Sequence, residues 1–298
     1  KCIAMIIGVL GNITVIIYTI FVSKEKTATS YLVGNLALAD LLVCLTFYPI
    51  WIIEFTQTIL NIDSNQDLFC KLSRPTSWAL LFASVATLFA ITLDRYSYIV
   101  KPLRYPLIVT KRKVFRTIAG IWLTSCCIFI VYYIHYKWHT KLRSLCDVPE
   151  YLSHSLQIYF KYIPITFTFI LNFRILFVAQ KQRKRILTET LPDHSRSLSR
   201  FVAIRRFLQA LKVVKTIFTV VIVLTFCCFV PTVVGGVLFK EHICSGSCHE
   251  IWYLIFQYEL YGINSIVNAF IYGIRHIKQR KAYGRILSKI LRCKKLAD

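Results

Sequence analysis

Several ionisable residues lie inside or at the edge of long apolar stretches, where a charge needs a chemical reason. Asp40 lies in the middle of one stretch, and Asp94 and Arg95 lie together at the end of another. A charge within a hydrophobic layer is costly and by default indicates a functional site. A buried carboxylate suits a cation or a proton, whereas arginine stays charged and offers five donors in a fixed fork. Asp40 is therefore a candidate functional residue, and Asp94 with Arg95 is a charged pair at the end of a predicted span.

Residues that often serve in catalysis are present without the arrangement that an enzyme requires. The seven histidines lie in predicted loops or at predicted helix ends and form no recognisable metal-binding motif. The sequence contains neither a Gly-rich phosphate loop nor a nucleophile elbow. We therefore predict that the chain is not an enzyme.

The composition shows which elements must position the charged residues. Of the 298 residues, 56% are hydrophobic and 17% are charged, whereas a typical soluble protein has about 25% charged residues. In lipid an apolar stretch must be helical, because each unpaired backbone group there is costly. A membrane-spanning helix needs about 20 mostly apolar residues. Seven stretches reach this length: 2–22, 31–55, 74–100, 114–136, 155–179, 213–239 and 251–274.

The predicted fold class is therefore all-α, a seven-transmembrane helix bundle. Residues 1–275 form this domain, and we expect an N-terminal tail to precede Lys1. Residues 278–291 alternate basic and apolar side chains at helical spacing, which predicts a short amphipathic eighth helix on the membrane surface. This helix and the cytoplasmic tail make up residues 276–298.

Basic residues are concentrated on one side of the predicted bundle. The net charge is +23, and most of the 37 Lys and Arg fall in or beside loops 23–30, 101–113 and 180–212 or in the tail. Such loops stay on the cytoplasmic side. We therefore predict a multi-pass protein of the plasma membrane with an extracellular N-terminus and a cytoplasmic C-terminus. This distribution also argues against nucleic-acid binding and favours contact with anionic membrane lipid.

Four of the eleven cysteines fall on the predicted extracellular side and allow three disulfide pairings. Proximity in the chain favours Cys244–Cys248, which leaves Cys70 and Cys146 to join a loop to the third span. Cys293 follows the amphipathic segment and is either a palmitoylation site or a free tail cysteine.

The sequence resembles the rhodopsin-like (class A) G protein-coupled receptors along nearly its whole length. A landmark falls in each span, in order and with the family's spacing. The landmarks are Gly11-Asn12, the segment 35–40 (Asn-Leu-Ala-Leu-Ala-Asp), Cys70 with Asp94-Arg95-Tyr96 and Lys101-Pro102-Leu103, Trp122, Pro164, Phe229-Val230-Pro231, and the segment 264–272 (Asn-Ser-Ile-Val-Asn-Ala-Phe-Ile-Tyr).

The resemblance implies a G protein-coupling site and an ion site. In the family the arginine of the Asp94-Arg95-Tyr96 motif is restrained by the adjacent aspartate and then contacts the G protein, and Pro102 and Leu103 belong to the same surface. Ser84, Asn264 and Asn268 occupy positions that converge on Asp40. An oxygen-rich cluster around one carboxylate suits a small hard cation, so we predict a sodium site. The alternative is a water-filled polar network around protonated Asp40.

The resemblance also implies an activation switch, in which this sequence departs from the family's pattern. The switch residues are Phe229, Pro231, Asn268 and Tyr272. Phe229 stands where a tryptophan is usual, and Ala269 stands in place of a proline. Asn172 replaces a tyrosine, and Leu211 replaces an acidic residue that often restrains the motif arginine. The departures predict either raised basal activity or a weakened active-state latch.

The predicted ligand pocket is mainly apolar, with few polar anchors. Its predicted lining comprises Ser77, Trp78, Leu81, Phe160, Phe229 and Tyr258. A cationic ligand could meet Glu259 or Glu54, and Lys161 could equally attract an anionic group. Monoamine recognition is disfavoured because Ser77 stands where amine receptors use aspartate. Retinal is excluded because Gly262 stands at the opsin lysine position and the seventh span contains no lysine.

The predicted function is that of a receptor that couples an extracellular ligand, a small molecule or a peptide, to a heterotrimeric G protein. The alternative class is a membrane transporter or channel. Transporters often show internal repeats and several charges at the membrane midplane. Neither feature is evident here, because Asp40 is essentially the only central charge.

Overall fold

The computed structural model describes residues 2–23, 27–60, 66–139, 155, 157–188, 208, 211, 214–230, 260 and 262–271. Seven helices of the bundle fall in these ranges: α1 (Cys2–Ile17), α2 (Ala28–Ile59), α3 (Gln66–Val100), α4 (Lys111–His139), α5 (Ile163–Thr188), α6 (Val214–Val230) and α7 (Gly262–Ile271). A four-residue helix, Tyr105–Ile108, lies between α3 and α4 and is called the linker helix.

The predicted all-α fold class is confirmed, because each of the seven apolar stretches contains a helix and no strand occurs in the described residues. Five of these helices are long and apolar enough to cross a membrane, and α6 and α7 are described over shorter apolar lengths. The predicted amphipathic helix at 278–291 lies outside the described residues.

Several helices extend beyond the predicted spans. The helix α3 begins at Gln66 rather than near residue 74, and α5 continues to Thr188 rather than ending near residue 179. Hydropathy marks only the part of a helix that lies in hydrocarbon. The flanking polar residues still form helical hydrogen bonds, so a helix can continue into water.

Pro164 explains the irregular start of α5. The five residues Ile158–Tyr162 form a π-helical turn, and the backbone N–H of Ile163 bonds to the carbonyl of Ile158. Proline has no N–H and its ring crowds the preceding turn. The turn therefore widens by one residue instead of closing as an α-helix. This widened turn carries Phe160 and Lys161, two of the predicted ligand-pocket residues.

The polarity of the bundle is that of a protein in lipid. Large apolar side chains face outward: Leu123 is 69% exposed, Phe173 63% and Phe177 66%. Polar side chains such as Asn12, Asp40 and Asn172 are buried inside. Lipid tails are as apolar as these outer side chains, so the outer surface carries no hydrophobic penalty there.

The interior is held by one main apolar cluster and by the central position of α3, which packs against α2, α4 and α5. Every helix of the bundle contributes to the cluster, through Val15, Leu36, Leu88, Val114, Ile165, Leu224 and Ala269 among others. Two polar contacts strengthen this packing. Asn35 donates to Thr87 Oγ1 (2.8 Å) and accepts from Trp122 Nε1 (2.8 Å), which joins α2, α3 and α4.

Candidate functional site

The first polar centre surrounds Asp40, which α2 carries into the middle of the bundle with no solvent exposure. The Ser84 hydroxyl of α3 donates to Asp40 Oδ1 (3.1 Å), and Asn268 Nδ2 of α7 donates to Asp40 Oδ2 (2.9 Å). A buried carboxylate is tolerated only where such donors replace water. The structure thus brings together three of the four residues predicted for the sodium site.

Two buried amide oxygens lie on α7, and one of them belongs to Asn268, which contacts this carboxylate. Within the described part of the chain, no donor reaches Oδ1 of Asn264 or Oδ1 of Asn268, although both residues are buried. Buried acceptors without a partner are rare in folded proteins and call for an ion or a water molecule. Oxygen ligands with a single negative charge suit a small hard cation rather than a transition metal.

Ser265 is a residue of this centre that the sequence reasoning missed. It is buried, and its side chain lies near the Asp40 carboxylate. Residues three apart on a helix share one face, so the spacing of Ser265 and Asn268 was a usable signal. The Ser265 carbonyl also accepts a bond from Asn12 Nδ2 (3.2 Å), which ties α7 to α1.

The second polar centre surrounds Arg95 at the end of α3, and this end of the bundle is called the Arg95 end. Asp94 Oδ2 accepts from Arg95 Nε (3.0 Å) and Nη2 (2.6 Å), and the two side chains are only 3% and 11% exposed. The guanidinium also lies over the Tyr98 ring, 5.0 Å from its centroid. The structure therefore shows the arginine paired with the adjacent aspartate, and the restraint of Arg95 before activation stays a prediction.

Two residues from other elements complete the Arg95 centre, and the sequence reasoning missed both. The Thr29 hydroxyl of α2 donates to Asp94 Oδ2 (2.6 Å) and accepts from Arg95 Nη2. The Tyr105 hydroxyl of the linker helix donates to Asp94 Oδ1 (2.8 Å). Burial, followed by the charge of Asp94, raises the pKa of the Tyr105 phenol above its ordinary value. Tyr105 therefore stays a protonated donor.

The other residues predicted for G protein coupling also lie at the Arg95 end, and they differ in their exposure to solvent. Tyr96 is partly buried and packs against an apolar cluster that includes Ile99. Pro102 is exposed, and Leu103 is 94% exposed, the largest value among the exposed apolar side chains of the described residues. The structure thus brings a buried charged pair and an exposed apolar side chain to one end of the bundle.

Aromatic pairs dominate the predicted pocket residues that the structure describes. Trp78 stacks on Tyr132 with ring centroids 5.9 Å apart, and Phe160 meets Phe82 edge-on at 5.4 Å. Phe229 packs against Tyr162 with a centroid distance of 5.1 Å. Such pairs contribute beyond their buried area and fix ring positions. Tyr132, Phe82 and Tyr162 were not predicted, because helical periodicity does not show which neighbour a ring meets.

Lys161 is a buried cation among these rings. It is 2% exposed, its Nζ lies 4.7 Å from the Tyr162 ring centroid, and it donates to the Tyr162 hydroxyl at 3.4 Å. The other predicted pocket residues Ser77 and Leu81 are partly buried on α3, and Leu81 packs against the main apolar cluster. The structure thus places a positive charge beside the predicted pocket.

Gly262 allows α2 and α7 to approach closely. A Cβ atom at Gly262 would overlap the Tyr48 hydroxyl and ring. Tyr48 is a large buried side chain. Glycine at 262 therefore makes room for a tyrosine from the neighbouring helix.

Some predicted site residues lie outside the described residues. They are Pro231, Tyr272, Tyr258, Glu259, Cys146, Cys244, Cys248 and Cys293, and the side chain of Cys70 is also outside the description although its backbone belongs to α3. The pairing of the four cysteines, the lipidation site and part of the activation switch stay predictions.

Comparison with known proteins gives the family. Residues 11–272 match the family model of the 7 transmembrane receptors (rhodopsin family). The chain is 30% identical to the alpha-1A adrenergic receptor of Mus musculus over 197 residues, and this match covers 65% of the chain and 41% of that receptor. It is 26% identical to the histamine H2 receptor of Cavia porcellus over 197 residues, and this match covers 62% of the chain and 53% of that receptor. The chain thus spans about half the length of these relatives or less. The described residues contain seven apolar helices, and the family model matches most of the chain, so the chain belongs to the rhodopsin family of seven-transmembrane receptors.

Proposed function

We propose that this chain is a G protein-coupled receptor of the plasma membrane. It binds an extracellular ligand and activates a heterotrimeric G protein, and it is not an enzyme. The observation that carries the proposal is the Arg95 centre, a buried charged pair at the end of the bundle in a chain whose family consists of receptors. The family and its members favour neither a transporter nor a channel.

The proposed orientation puts the Arg95 end in the cytoplasm and the N-terminus outside. The connections at the Arg95 end carry most of the basic residues, and such residues remain on the cytoplasmic side of a membrane. The same end is then the G protein surface. Leu103, almost fully exposed, is the apolar side chain that the G protein buries, and Arg95 is the charge that it contacts once Asp94 releases it.

The proposed ligand is a small molecule or a peptide rather than a monoamine. Two relatives are named for adrenergic and histamine recognition, but position 77 holds serine and supplies no carboxylate for an ammonium group. Lys161 provides a positive charge beside the aromatic pairs. An acidic group on the ligand would meet Lys161, whereas a basic group would need Glu259 or Glu54.

The proposed cofactor is a sodium ion at the Asp40 centre. The donor set of Asp40, Ser84, Asn264 and Asn268, together with Ser265, contains one carboxylate and several neutral oxygens, two of which lack a donor in the described residues. The ion would neutralise the carboxylate and bridge α2, α3 and α7. The alternative, protonated Asp40 in a network of water molecules, requires no sodium dependence.

The experiment that tests the proposed function is ligand-stimulated nucleotide exchange. The full chain would be reconstituted in lipid nanodiscs, screened against ligand libraries and assayed for GTPγS binding to purified G proteins of each Gα class. We expect at least one pairing of ligand and G protein to accelerate exchange, and Arg95→Ala to abolish the effect. Ligand binding without exchange by any G protein, together with ligand-dependent flux into vesicles, would contradict the proposal and favour a transporter.

The same assay without ligand decides between the two consequences predicted from the departures at Phe229, Ala269, Asn172 and Leu211. Raised basal activity requires ligand-free exchange above that of Arg95→Ala. Ligand-free exchange equal to that of Arg95→Ala rejects raised basal activity and leaves a weakened active-state latch.

A further inference from the structure

The charged centre at the Arg95 end draws its partners from α2, α3 and the linker helix. Arg95 contacts Asp94, Thr29 and the Tyr98 ring in the described residues. No residue of the sixth helical segment described, 208, 211 and 214–230, contributes to this set. Residues 201–230 contain no acidic side chain, so this segment offers no ion-pair partner to Arg95.

The sixth helical segment meets the Arg95 end through apolar side chains instead. Leu211 (8% exposed) and Val214 belong to a buried cluster with Ile99 of α3 and with Ile175 and Ala179 of α5. Ile175 and Ala179 are four residues apart on α5 and therefore share one helix face. They belong to the same buried cluster as Leu211 and Val214. We call the five residues the apolar latch.

The apolar latch lies one helical turn beyond the charged centre, and polar residues of α5 and of the α3–α4 connection lie next to it. Ile99 follows Arg95 by four residues, and Tyr96 packs against the latch. Gln182 Nε2 donates to the Ile99 carbonyl (3.3 Å), and Lys101 beside it is exposed. Apolar contacts resist separation only where separation exposes them to water, because lipid provides no such force. Because the residues around the latch are polar, separation of the latch residues would expose them to water, and the hydrophobic effect therefore favours the closed contact.

A polar contact fixes the α5 side of the latch to α3. Asn172 Nδ2 donates to Thr92 Oγ1 (3.0 Å) and to the Thr168 carbonyl (2.9 Å), and both Asn172 and Thr92 are buried. Asn172 precedes Ile175 by three residues and thus shares a helix face with it. The α5 side of the latch is therefore joined to α3 by a buried polar contact that involves neither Leu211 nor Val214.

We infer that burial of Leu211 against Ile99, Ile175 and Ala179 holds the Arg95 end closed, in place of any charge pairing between Arg95 and the sixth helix. This inference rests on the proposed function, since the closed end is the one that a G protein would open. Two consequences follow. The closed state depends on side-chain volume at position 211, and it is insensitive to ionic strength.

The test uses the full chain in nanodiscs with two readouts. A fluorescent non-natural amino acid at position 208, whose side chain is 42% exposed, reports movement of the segment without any G protein. Ligand-free GTPγS binding with each Gα class reports coupling. The variants are Leu211→Ala, Leu211→Val and the volume-matched control Leu211→Met, each with a melting temperature to establish that it is folded.

We expect a graded response in both readouts. Leu211→Ala should raise ligand-free exchange roughly 5-fold or more, because loss of part of a buried side chain shifts a two-state equilibrium by such a factor. Leu211→Val should lie between Leu211→Ala and the wild type, and Leu211→Met should match the wild type. Emission from position 208 should follow the same order. If Leu211→Ala does not fold, Leu211→Val carries the comparison.

The ionic-strength arm separates an apolar latch from a charged one. Choline chloride would be raised from about 0.05 M to about 0.5 M, which screens exposed ion pairs without adding sodium. Wild-type emission from position 208 should stay constant. A wild-type shift with salt as large as that of Leu211→Ala would overturn the inference, and so would equal emission from Leu211→Ala, Leu211→Val and the wild type.

The two readouts also separate failure of the inference from failure of the proposed function. Graded emission with no exchange in any Gα class supports the latch and contradicts the receptor function. Ligand-stimulated exchange in the wild type with identical emission in all Leu211 variants supports the receptor function and contradicts the latch.

Discussion

The two polar centres of this receptor contain one buried carboxylate each, but they satisfy it in opposite ways. Asp40 receives neutral donors from Ser84 and Asn268. Among the residues that the structure describes, no donor reaches the side-chain oxygens of Asn264 and Asn268. Asp94 receives a guanidinium and two hydroxyl donors. The Asp40 centre therefore has an excess of acceptors and suits an added cation. The Asp94 centre already contains its cation, which is the Arg95 side chain.

The depth of a buried carboxylate in the bilayer determines which kind of cation can pair with it. Asp40 lies in the middle of α2, where long cationic side chains cannot reach water, so a small ion is the suitable partner. Asp94 lies at the end of α3, where an arginine can move between the protein and water. One carboxylate is thus suited to stabilise the bundle and the other to control its end.

The largest effect is expected from breaking the Arg95 centre. Arg95→Ala removes the charge that the G protein is proposed to contact and leaves Asp94 buried with hydroxyl donors only. We expect ligand-stimulated nucleotide exchange to fall by more than about 30-fold, the range for truncation of one partner in a buried charged pair. Arg104→Ala, at an exposed position of the same end, is the control and should retain exchange. Equal losses in the two variants would contradict a special role for Arg95.

The next largest effect is a change in the sodium dependence of the melting temperature when each aspartate is replaced by asparagine. Wild-type receptor should melt roughly 3 °C higher in NaCl than in KCl at a sodium concentration about tenfold above its dissociation constant. Asp40→Asn should remove this difference, because the ion loses its only charged ligand, whereas Asp94→Asn should retain it. The measurement is the melting temperature of purified receptor. A sodium effect of equal size in wild type and Asp40→Asn favours the water network.

A smaller effect is expected from removing one donor at the Arg95 centre. Tyr105→Phe deletes the hydroxyl that donates to Asp94 Oδ1 and retains the ring, which meets Tyr98 edge-on at 5.2 Å. Loss of one hydrogen bond to a charged group weakens the hold of Asp94 on Arg95. We expect ligand-free exchange to rise about 5-fold. The control, Tyr98→Phe, should raise ligand-free exchange by less, because the ring under Arg95 remains. Unchanged ligand-free exchange in Tyr105→Phe would show that the linker helix does not restrain this centre.

The smallest effect concerns pH and again involves Tyr105. Its folded-state pKa is raised above the ordinary value of 10.0 by burial and then by Asp94. The folded protein therefore holds this proton more tightly than the unfolded chain, and the stabilisation is complete below about pH 10 and falls as the pH rises toward the raised pKa. The melting temperature of the wild type should decline more steeply above pH 10 than that of Tyr105→Phe. Parallel curves would show that Tyr105 does not contribute.

The sequence predicted most of the fold because hydrophobic length is a direct requirement of the bilayer. All seven apolar stretches contain helices, although α3 and α5 continue past the predicted limits. The Asp40 centre was found because the resemblance supplied the positions of Ser84, Asn264 and Asn268. Ser265 was missed, although its spacing from Asn268 indicated a shared helix face.

The Arg95 end was predicted less completely. Asp94 and Arg95 are adjacent in the chain, so their pairing could be read from the motif. Thr29 and Tyr105 come from another helix and from a four-residue helix, and no periodicity in the sequence indicates that either would reach Asp94. The departure at Leu211 was recognised as the loss of an acidic residue, but its packing partners on α3 and α5 were not predicted.

The sequence by itself determined the number and type of the apolar helices, because lipid leaves the backbone no alternative to internal hydrogen bonding. It also determined which charges are exceptional, since Asp40 and Arg95 stand out against an apolar background. Only the tertiary structure decided which side chains meet those charges and what Leu211 packs against. These contacts join residues distant in the chain, and they depend on how the seven helices rotate and approach one another, which is set by side-chain packing across the whole bundle.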